Sequence, residues 1–253
     1  MRGVAGESGH NPYMEIRWLH IFLDTPRHDA ARSWAFWSDV TGTTLSPTRG
    51  EEGQFATLLP ARGQAWLKVQ AVDGPARVHL DVDTDDRAAF VARATELGAT
   101  VLGTYHEVVI LRSPAGIALC ATVGTGGPYD RALGSVADQA TLDIPRSAFA
   151  DEVAFWADLT GWGASEIRDD DEFVSLRRPE HVAVRVLLQR RDDETPASAH
   201  VDFAVTDRVA ETERHVRAGA EVVSVHGQWT VLRDPVGRVY CLTDRDPATG
   251  LPR

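Results

Sequence analysis

Residues 17–23 alternate as a strand: Leu19, Ile21 and Leu23 point one way, and Trp18, His20 and Phe22 the other. The period then changes. Ala30, Trp34, Trp37 and Thr41 recur every three or four residues, the spacing of a helix with one buried stripe. Pro26 suits the first turn of that helix, Asp24 or Thr25 offers a capping oxygen, and Gly42 ends it. Short apolar runs at 43–46, 55–59 and 65–70 read as strands, separated by turns containing Pro47, Gly50, Gly53, Pro60 and Gly63. The pattern then restarts. His79-Leu80-Asp81-Val82-Asp83-Thr84 echoes His20-Ile21-Phe22-Leu23-Asp24-Thr25, with His, Asp and Thr each displaced by 59. A helix over 85–97, turning Phe90, Val91, Ala94 and Leu97 inward and stopping at Gly98, precedes strands at 100–102, 108–112 and 117–122.

A longer repeat lies over this one. Ala35-Phe36-Trp37-Ser38-Asp39-Val40-Thr41-Gly42 returns as Ala154-Phe155-Trp156-Ala157-Asp158-Leu159-Thr160-Gly161, from residue 35 to residue 154, an offset of 119. Leu111-Arg112-Ser113-Pro114-Ala115-Gly116 returns as Leu232-Arg233-Asp234-Pro235-Val236-Gly237, an offset of 121. Repeats this far apart are domain-sized duplications. Strands near 139 and 200 and helices near 147–159 and 207–218 give the second copy the same plan. The expected organisation is a flexible tail over 1–14, a domain over 15–123, a glycine-rich linker over 124–135, a second domain over 136–244 and an irregular end over 245–253. The chain is then four strand–helix–strand–strand–strand modules, an α+β plan with helices on the outer face of curved mixed sheets.

Composition narrows the partners. A chain of 253 residues with 43% hydrophobic and 25% charged residues suits two globular domains. Its net charge of −11, with no run of Lys and Arg, disfavours nucleic acid. No stretch approaches the roughly 20 apolar residues of a membrane span. The glycine-rich residues 1–13 lack the apolar core of a signal peptide, so a cytoplasmic location is expected. Cys120 and Cys241 hold equivalent places inside apolar runs and read as buried thiols rather than a disulfide. The acidic run 169–172 reads as a solvated turn and 190–194 as a surface hairpin. There is no phosphate-binding glycine loop and no Gly-x-Ser-x-Gly elbow.

The modules, the Phe-Trp-x-x-x-x-Gly helix ends (Phe36 to Gly42, Phe155 to Gly161) and the Pro-x-Gly hairpin before each last strand resemble the vicinal oxygen chelate superfamily, which includes glyoxalase I, extradiol dioxygenases and bleomycin-binding resistance proteins. The His-Leu-Asp opening at His79 and the Arg-x-Pro-x-Gly-x-x-x-Cys ending from Arg112 to Cys120 resemble its glyoxalase-like branch. In metal-using members of the superfamily, the first and last strands of paired modules send His, Gln or Glu to one divalent ion. Carried over to this sequence, the resemblance puts His20, Lys68, His79 and Cys120 at those places in the first copy, and Gln139, Leu187, His200 and Cys241 in the second. A protonated Lys has no lone pair, Leu has no donor, and Cys cannot serve as a carboxylate base. No cofactor is therefore favoured; a divalent metal on His20 and His79 is the reading that survives.

The resemblance also implies a cup lined by alternate residues. In the first copy these include Trp18, His20, Phe22, Trp66, Lys68, Gln70, His79, Asp81 and Cys120; in the second, Gln139, Arg185, His200, Asp202 and Cys241. Aromatic walls with few polar anchors suit a small molecule. Trp18 and Trp66 are candidates to sandwich a planar ligand, with Lys68, His79 and Asp81 orienting it. His20 or His79 would shuttle a proton, and Lys68 would steady an anion. The expected function is small-molecule binding, or metal-independent conversion of an organic metabolite, as in antibiotic resistance or secondary metabolism. The alternative is a metal-dependent lyase, isomerase or dioxygenase. Fusion of two copies suits a monomer, with a homodimer as the other arrangement, and the first copy is the favoured site if only one is functional.

Overall fold

The computed structural model describes residues 14–131, 135–165 and 172–253. The expected N-terminal tail up to residue 13, part of the linker (132–134) and most of the acidic turn (169–171) lie outside the described residues. The first copy forms β1 (Ile16–Pro26), β2 (Thr44–Leu45), β3 (Phe55–Leu59), β4 (Leu67–Val72), β5 (Arg77–Thr84), β6 (Thr100–Tyr105), β7 (Val108–Arg112) and β8 (Ala118–Val123). They make one sheet in the order β2-β3-β4-β1-β5-β8-β7-β6. At its centre β1 runs parallel to β4 and antiparallel to β5, and β5 runs parallel to β8. The second copy gives β9 (Val136–Pro145), β10 (Phe173–Ser175), β11 (Arg185–Arg191), β12 (Ser198–Ala204), β13 (Glu221–Val225), β14 (Trp229–Arg233) and β15 (Val239–Thr243), ordered β10-β11-β9-β12-β15-β14-β13. A single bridge between Ala164 and Leu176 stands where the first copy has β2.

Four helices follow the four first strands: α1 (Ala30–Thr41), α2 (Arg87–Glu96), α3 (Phe149–Thr160) and α4 (Arg208–Arg217). They cover the face carrying Leu19, Ile21 and Leu23, which are at most 1% exposed. Gly42 closes α1 in the left-handed conformation, φ +63°, which a side chain would strain. The start of α1 differs from the sequence reading. The strand β1 continues to Pro26, a short 3-10 turn (Arg27–Asp29) intervenes, and neither Asp24 nor Thr25 caps the helix. The Thr25 hydroxyl meets that of Ser33 at 3.1 Å, and Asp24 turns to the opposite, concave face. By contrast, Asp86 and Asp207 do cap α2 and α4, accepting from the amides of Ala89 and Ala210.

The two sheets share one continuous core through the repeated Phe-Trp helices. Trp37 of α1 stacks on Phe203 of β12 with centroids 5.7 Å apart, and its indole N–H donates to Asp234 at 3.1 Å. Asp234 also pairs with the buried Arg238 at 2.7 Å, and Arg238 reaches back to Thr25 Oγ1 at 2.9 Å. The equivalent Trp156 of α3 donates instead to Glu152 of its own helix, and Glu152 accepts the amide of Ala115 across the seam. Two copies of one sequence motif thus bury their indoles against carboxylates taken from different elements. Cys120 and Cys241 are buried free thiols. No helix among the described residues is long and apolar enough to cross a membrane.

The tryptophan sandwich expected around a ligand takes another form. Trp18 and Trp66 do meet a planar ring, but it is Tyr129 of the linker, edge-on to both at 5.7 and 5.8 Å. Trp18 donates to Ala65 O and Trp66 to Ala137 O, so both indoles belong to the junction between the copies. The C-terminal segment is also tied down. Arg245 pairs with the fully buried Asp138, and Arg253 donates to the carbonyls of Val205 and Thr206.

Candidate functional site

Antiparallel pairing of β1 and β5 sets the first site. Trp18 lies opposite Asp83, His20 opposite Asp81, Phe22 opposite His79, and Asp24 opposite Arg77. The period of two puts all eight on the concave face. Each histidine then meets the aspartate one step along the diagonal: His79 Nδ1 is 3.0 Å from Asp24 Oδ1, and His20 Nε2 is 3.2 Å from Asp83 Oδ2. The displacement of 59 in the sequence is thus a local two-fold relating two His–Asp pairs.

The two pairs have different fates. Thr122 Oγ1 donates to Asp83, and the linker passes so close that a Cβ on Gly124 would collide with the Asp83 carboxylate. His20 is sealed at this end and does not line the cup. His79 stays on the cup floor, stacked on Phe22 with centroids 4.7 Å apart and planes at 11°. Its Nε2 edge lies 3.3 Å from Asp81 Oδ1, beside Cys120. Burial lowers the proton affinity of His79, but Asp24 and then Asp81 outweigh it and hold the ring protonated well above the usual imidazole range. Asp24 is fully buried and also accepts from Arg77 Nε at 2.7 Å; burial alone would raise its proton affinity, yet these partners lower it. Burial pushes the Cys120 thiol up, so it rests protonated rather than as a reactive thiolate.

The second copy repeats the open pair. His200 Nδ1 is bonded to Asp143 Oδ2 at 2.8 Å, and Nε2 lies 3.1 Å from Asp202 Oδ1, beside Cys241. Burial opposes the charge on His200, and Asp143 and Asp202 overcome it, again holding the ring protonated well above its ordinary range. The sealed pair has no counterpart, since Gln139 replaces His20 and Ala204 replaces Asp83. Gln139 Nε2 and Thr141 Oγ1 instead donate to Asp202 Oδ2 at 2.7 and 2.8 Å. The cavities above these floors measure about 320 Å³ in the first copy and about 280 Å³ in the second.

Placement of the sequence candidates divides accordingly. Phe22, Gln70, His79, Asp81 and Cys120 line the first cup, and Gln139, Arg185, His200, Asp202 and Cys241 line the second. Trp18, Trp66 and His20 do not. Lys68 faces the concave side without lining the cavity; its ammonium lies 5.3 Å from the Phe22 ring centroid. Burial lowers its proton affinity, while Asp81 and Asp83 work to retain the charge. The metal pair of His20 and His79 is not what the fold assembles. Among the described residues, donors within 4.8 Å of one another are those of His79, Asp81 and Cys120, and of His200, Asp202 and Cys241. Sequence reasoning missed Asp24 and Asp143. Both share the parity of the inward residues, and they recur at the offset of 119, which was the available signal.

A sequence model of the family described as "Glyoxalase-like domain" matches twice, over residues 20–122 and 139–243. The chain belongs to that family. It is therefore a tandem glyoxalase-like protein of the vicinal oxygen chelate superfamily, with one domain per repeat. No curated protein matches it. Solved structures share the fold at low identity. The Mn(II)-bound glyoxalase from Novosphingobium aromaticivorans aligns at 19% identity with a TM-score of 0.63, over 94% of this chain and 83% of that one. An extradiol ring-cleaving dioxygenase from B. fuscum aligns at 16% identity and a TM-score of 0.67, over 97% and 76%. The 2,2',3-trihydroxybiphenyl 1,2-dioxygenase from Sphingomonas wittichii strain RW1 aligns at 16% and 0.62, over 90% of each chain.

Proposed function

We propose that the chain binds a small organic molecule in its cups and converts it by proton transfer at the floor, with His79 and His200 as the acids and Asp81 and Asp202 as their basic neighbours. One observation carries this reading: Asp24, His79, Asp81 and Cys120 recur in space as Asp143, His200, Asp202 and Cys241 around equivalent cavities. An imidazolium oriented by a buried carboxylate on Nδ1 presents Nε2–H as a proton donor to a ligand oxygen. The adjacent carboxylate can take a proton from a neighbouring carbon as charge develops on that oxygen. Donor and acceptor lie 3.3 Å apart in the first cup and 3.1 Å apart in the second, so one ligand can touch both. Such a pair suits isomerisation or elimination next to a carbonyl. Lys68 is a cation that favours the ionised state of Asp83, and so acts through a neighbouring carboxylate rather than on the ligand.

A second reading rests on one further observation. Buried Oδ1 atoms of Asp81 and Asp202 have no aligned hydrogen-bond donor, and each lies beside an imidazole nitrogen and a thiol. This N, O and S set fits a zinc-like divalent ion, held by His79, Asp81 and Cys120 or by His200, Asp202 and Cys241. Asp143 then takes the outer role of fixing its ring by the bond to Nδ1, and Asp24 that of a charged neighbour 3.0 Å from His79 Nδ1 without an aligned bond. When bound, such an ion would supply Lewis acidity towards a ligand oxygen.

Proton exchange into small carbonyl compounds in D2O, followed by NMR, tests the first reading. Exchange that persists with chelator and vanishes in the H79Q/H200Q double variant is expected. Undiminished exchange in that variant contradicts it, and a stoichiometric metal whose removal abolishes exchange selects the second reading.

A further inference from the structure

One end of the second cup holds more positive charge than its surroundings balance. Asp138 is fully buried, touches two guanidinium groups and lies within the electrostatic reach of two more, those of Arg178 and Arg185. Arg245 pairs with it through Nε at 3.1 Å and through Nη2, and Arg131 Nη1 approaches to 3.8 Å. Arg185 and Arg178 have no carboxylate within 4.0 Å among the described residues. Asp202, 3.9 Å from Arg245, is already shared with His200. Arg131 and Arg178 stand behind the cup wall rather than lining it, and Arg131 Nη1 and Arg178 Nε are buried there without an aligned hydrogen-bond partner, so they add positive charge behind Arg185 and Arg245. Cations brought together away from water repel one another and lose solvation, so such a cluster is stabilised by an added anion. Burial together with the neighbouring Arg245 lowers the proton affinity of Arg185, the effect expected of crowding.

This feature belongs to the second copy alone. The positions equivalent to Arg185, Asp138 and Arg245 are Trp66, Leu19 and Gly124. Where the first copy packs an indole against the linker, the second has an arginine lining a cavity. Arg185 and Arg245 both line the second cup, along with the aromatic rings of Phe173 and Trp229, 6.1 Å apart. Strand register fixes the spacing. Arg185 pairs with Gln139, and two residues further on Leu187 pairs with Thr141, which faces His200. Two residues of strand place the cationic end about 7 Å from the His200 row.

We propose that the second cup selects an organic oxyanion, a carboxylate or a phosphate ester on a flat apolar body, with its charged head at Arg185 and Arg245 and its reacting end at His200. This deepens the reading of the cup as a small-molecule site and depends on it. Guanidinium forks match either oxyanion, and the aromatic wall suits the body.

Calorimetric titration of the full chain with benzoate, phenyl phosphate and neutral benzamide tests it, and the tighter of the two anions tells carboxylate from phosphate. At least one anion is expected to bind about tenfold tighter than benzamide. R185M should lose about tenfold of that affinity, R185K should recover only part of the loss because it restores the charge without the fork, and the exposed R233M should change nothing. A readout without a variant is the melting temperature of the native chain, which inorganic phosphate should raise above potassium chloride at equal ionic strength. Equal affinity for benzamide and the anions overturns the anion head and leaves the cup reading intact. Anion affinity unchanged in R185M, or no binding of any probe with no phosphate-induced shift, overturns the inference. The cup reading is judged separately by exchange in the H79Q/H200Q variant.

Discussion

Acid should weaken this fold through one histidine that takes no part in either cup. His215 of α4 is fully buried against Phe203, Tyr240 and Phe36. Ser135 donates its hydroxyl to Glu211 at 2.6 Å, so its oxygen accepts from His215 Nε2 at 3.0 Å, and His215 Nδ1 accepts the Tyr240 hydroxyl at 2.8 Å. A second proton on Nδ1 would displace the Tyr240 hydrogen into an apolar core. Burial first, then repulsion from Arg214, push the His215 pKa down to about 3, against a weaker pull from Glu211. The folded value lies below the unfolded one of about 6.5, so the contribution is fully present above that value and is lost as pH falls towards the folded pKa. At about 1.36 kcal/mol per unit, moving from pH 6.5 to pH 5 removes about 2 kcal/mol. Urea unfolding of the native chain and of H215Q, at pH 7 and pH 5, isolates the effect. The other titrating groups, including His79 and His200 with their opposite sign, are common to both proteins and cancel. H215Q should be the less stable at pH 7, and its deficit should shrink by about 2 kcal/mol at pH 5. A deficit that stays constant or grows on acidification refutes the reasoning.

Two further predictions concern packing. Replacing Trp37 by Ala removes a fully buried indole stacked on Phe203 and its bond to Asp234, and should cost about 4 kcal/mol in urea unfolding at pH 7; a loss under about 1 kcal/mol would show that the seam is not a shared core. Gly124→Ala drives a methyl group into the Asp83 carboxylate and should destabilise by about 1 to 3 kcal/mol, whereas Gly74→Ala, with nothing within 4 Å, should be neutral; equal melting temperatures for the two variants would contradict the sealing of the His20 pair.

Periodicity carried most of the fold. The stripe through Trp34 and Trp37, the restart at His79 and the repeated Phe-Trp helix end give the order and type of nearly every element. Strand parity also put Phe22, His79, Asp81, His200 and Asp202 on the concave face, because inward residues alternate wherever both faces are covered. Parity alone does not tell which inward residues remain open. Trp18, Trp66 and His20 have the right parity, but they are covered by Tyr129 and Gly124, whose path across the sheet no local pattern encodes. Asp24 was misread because an aspartate before Pro26 looks like a cap, while its true partner His79 is 55 residues away and is set by register. The arginine cluster draws on the linker, three strand or loop positions and the tail, so it is invisible until the chain is folded.

The protonation state of the two floor histidines tests the central claim most directly. Nitrogen-15 NMR of the imidazole rings, assigned with H79Q and H200Q, reads it without a substrate. Both rings should remain doubly protonated at pH 7.5, where an unperturbed imidazole is neutral. Two neutral rings at that pH would contradict the account of an imidazolium set between carboxylates at the floor of each cup.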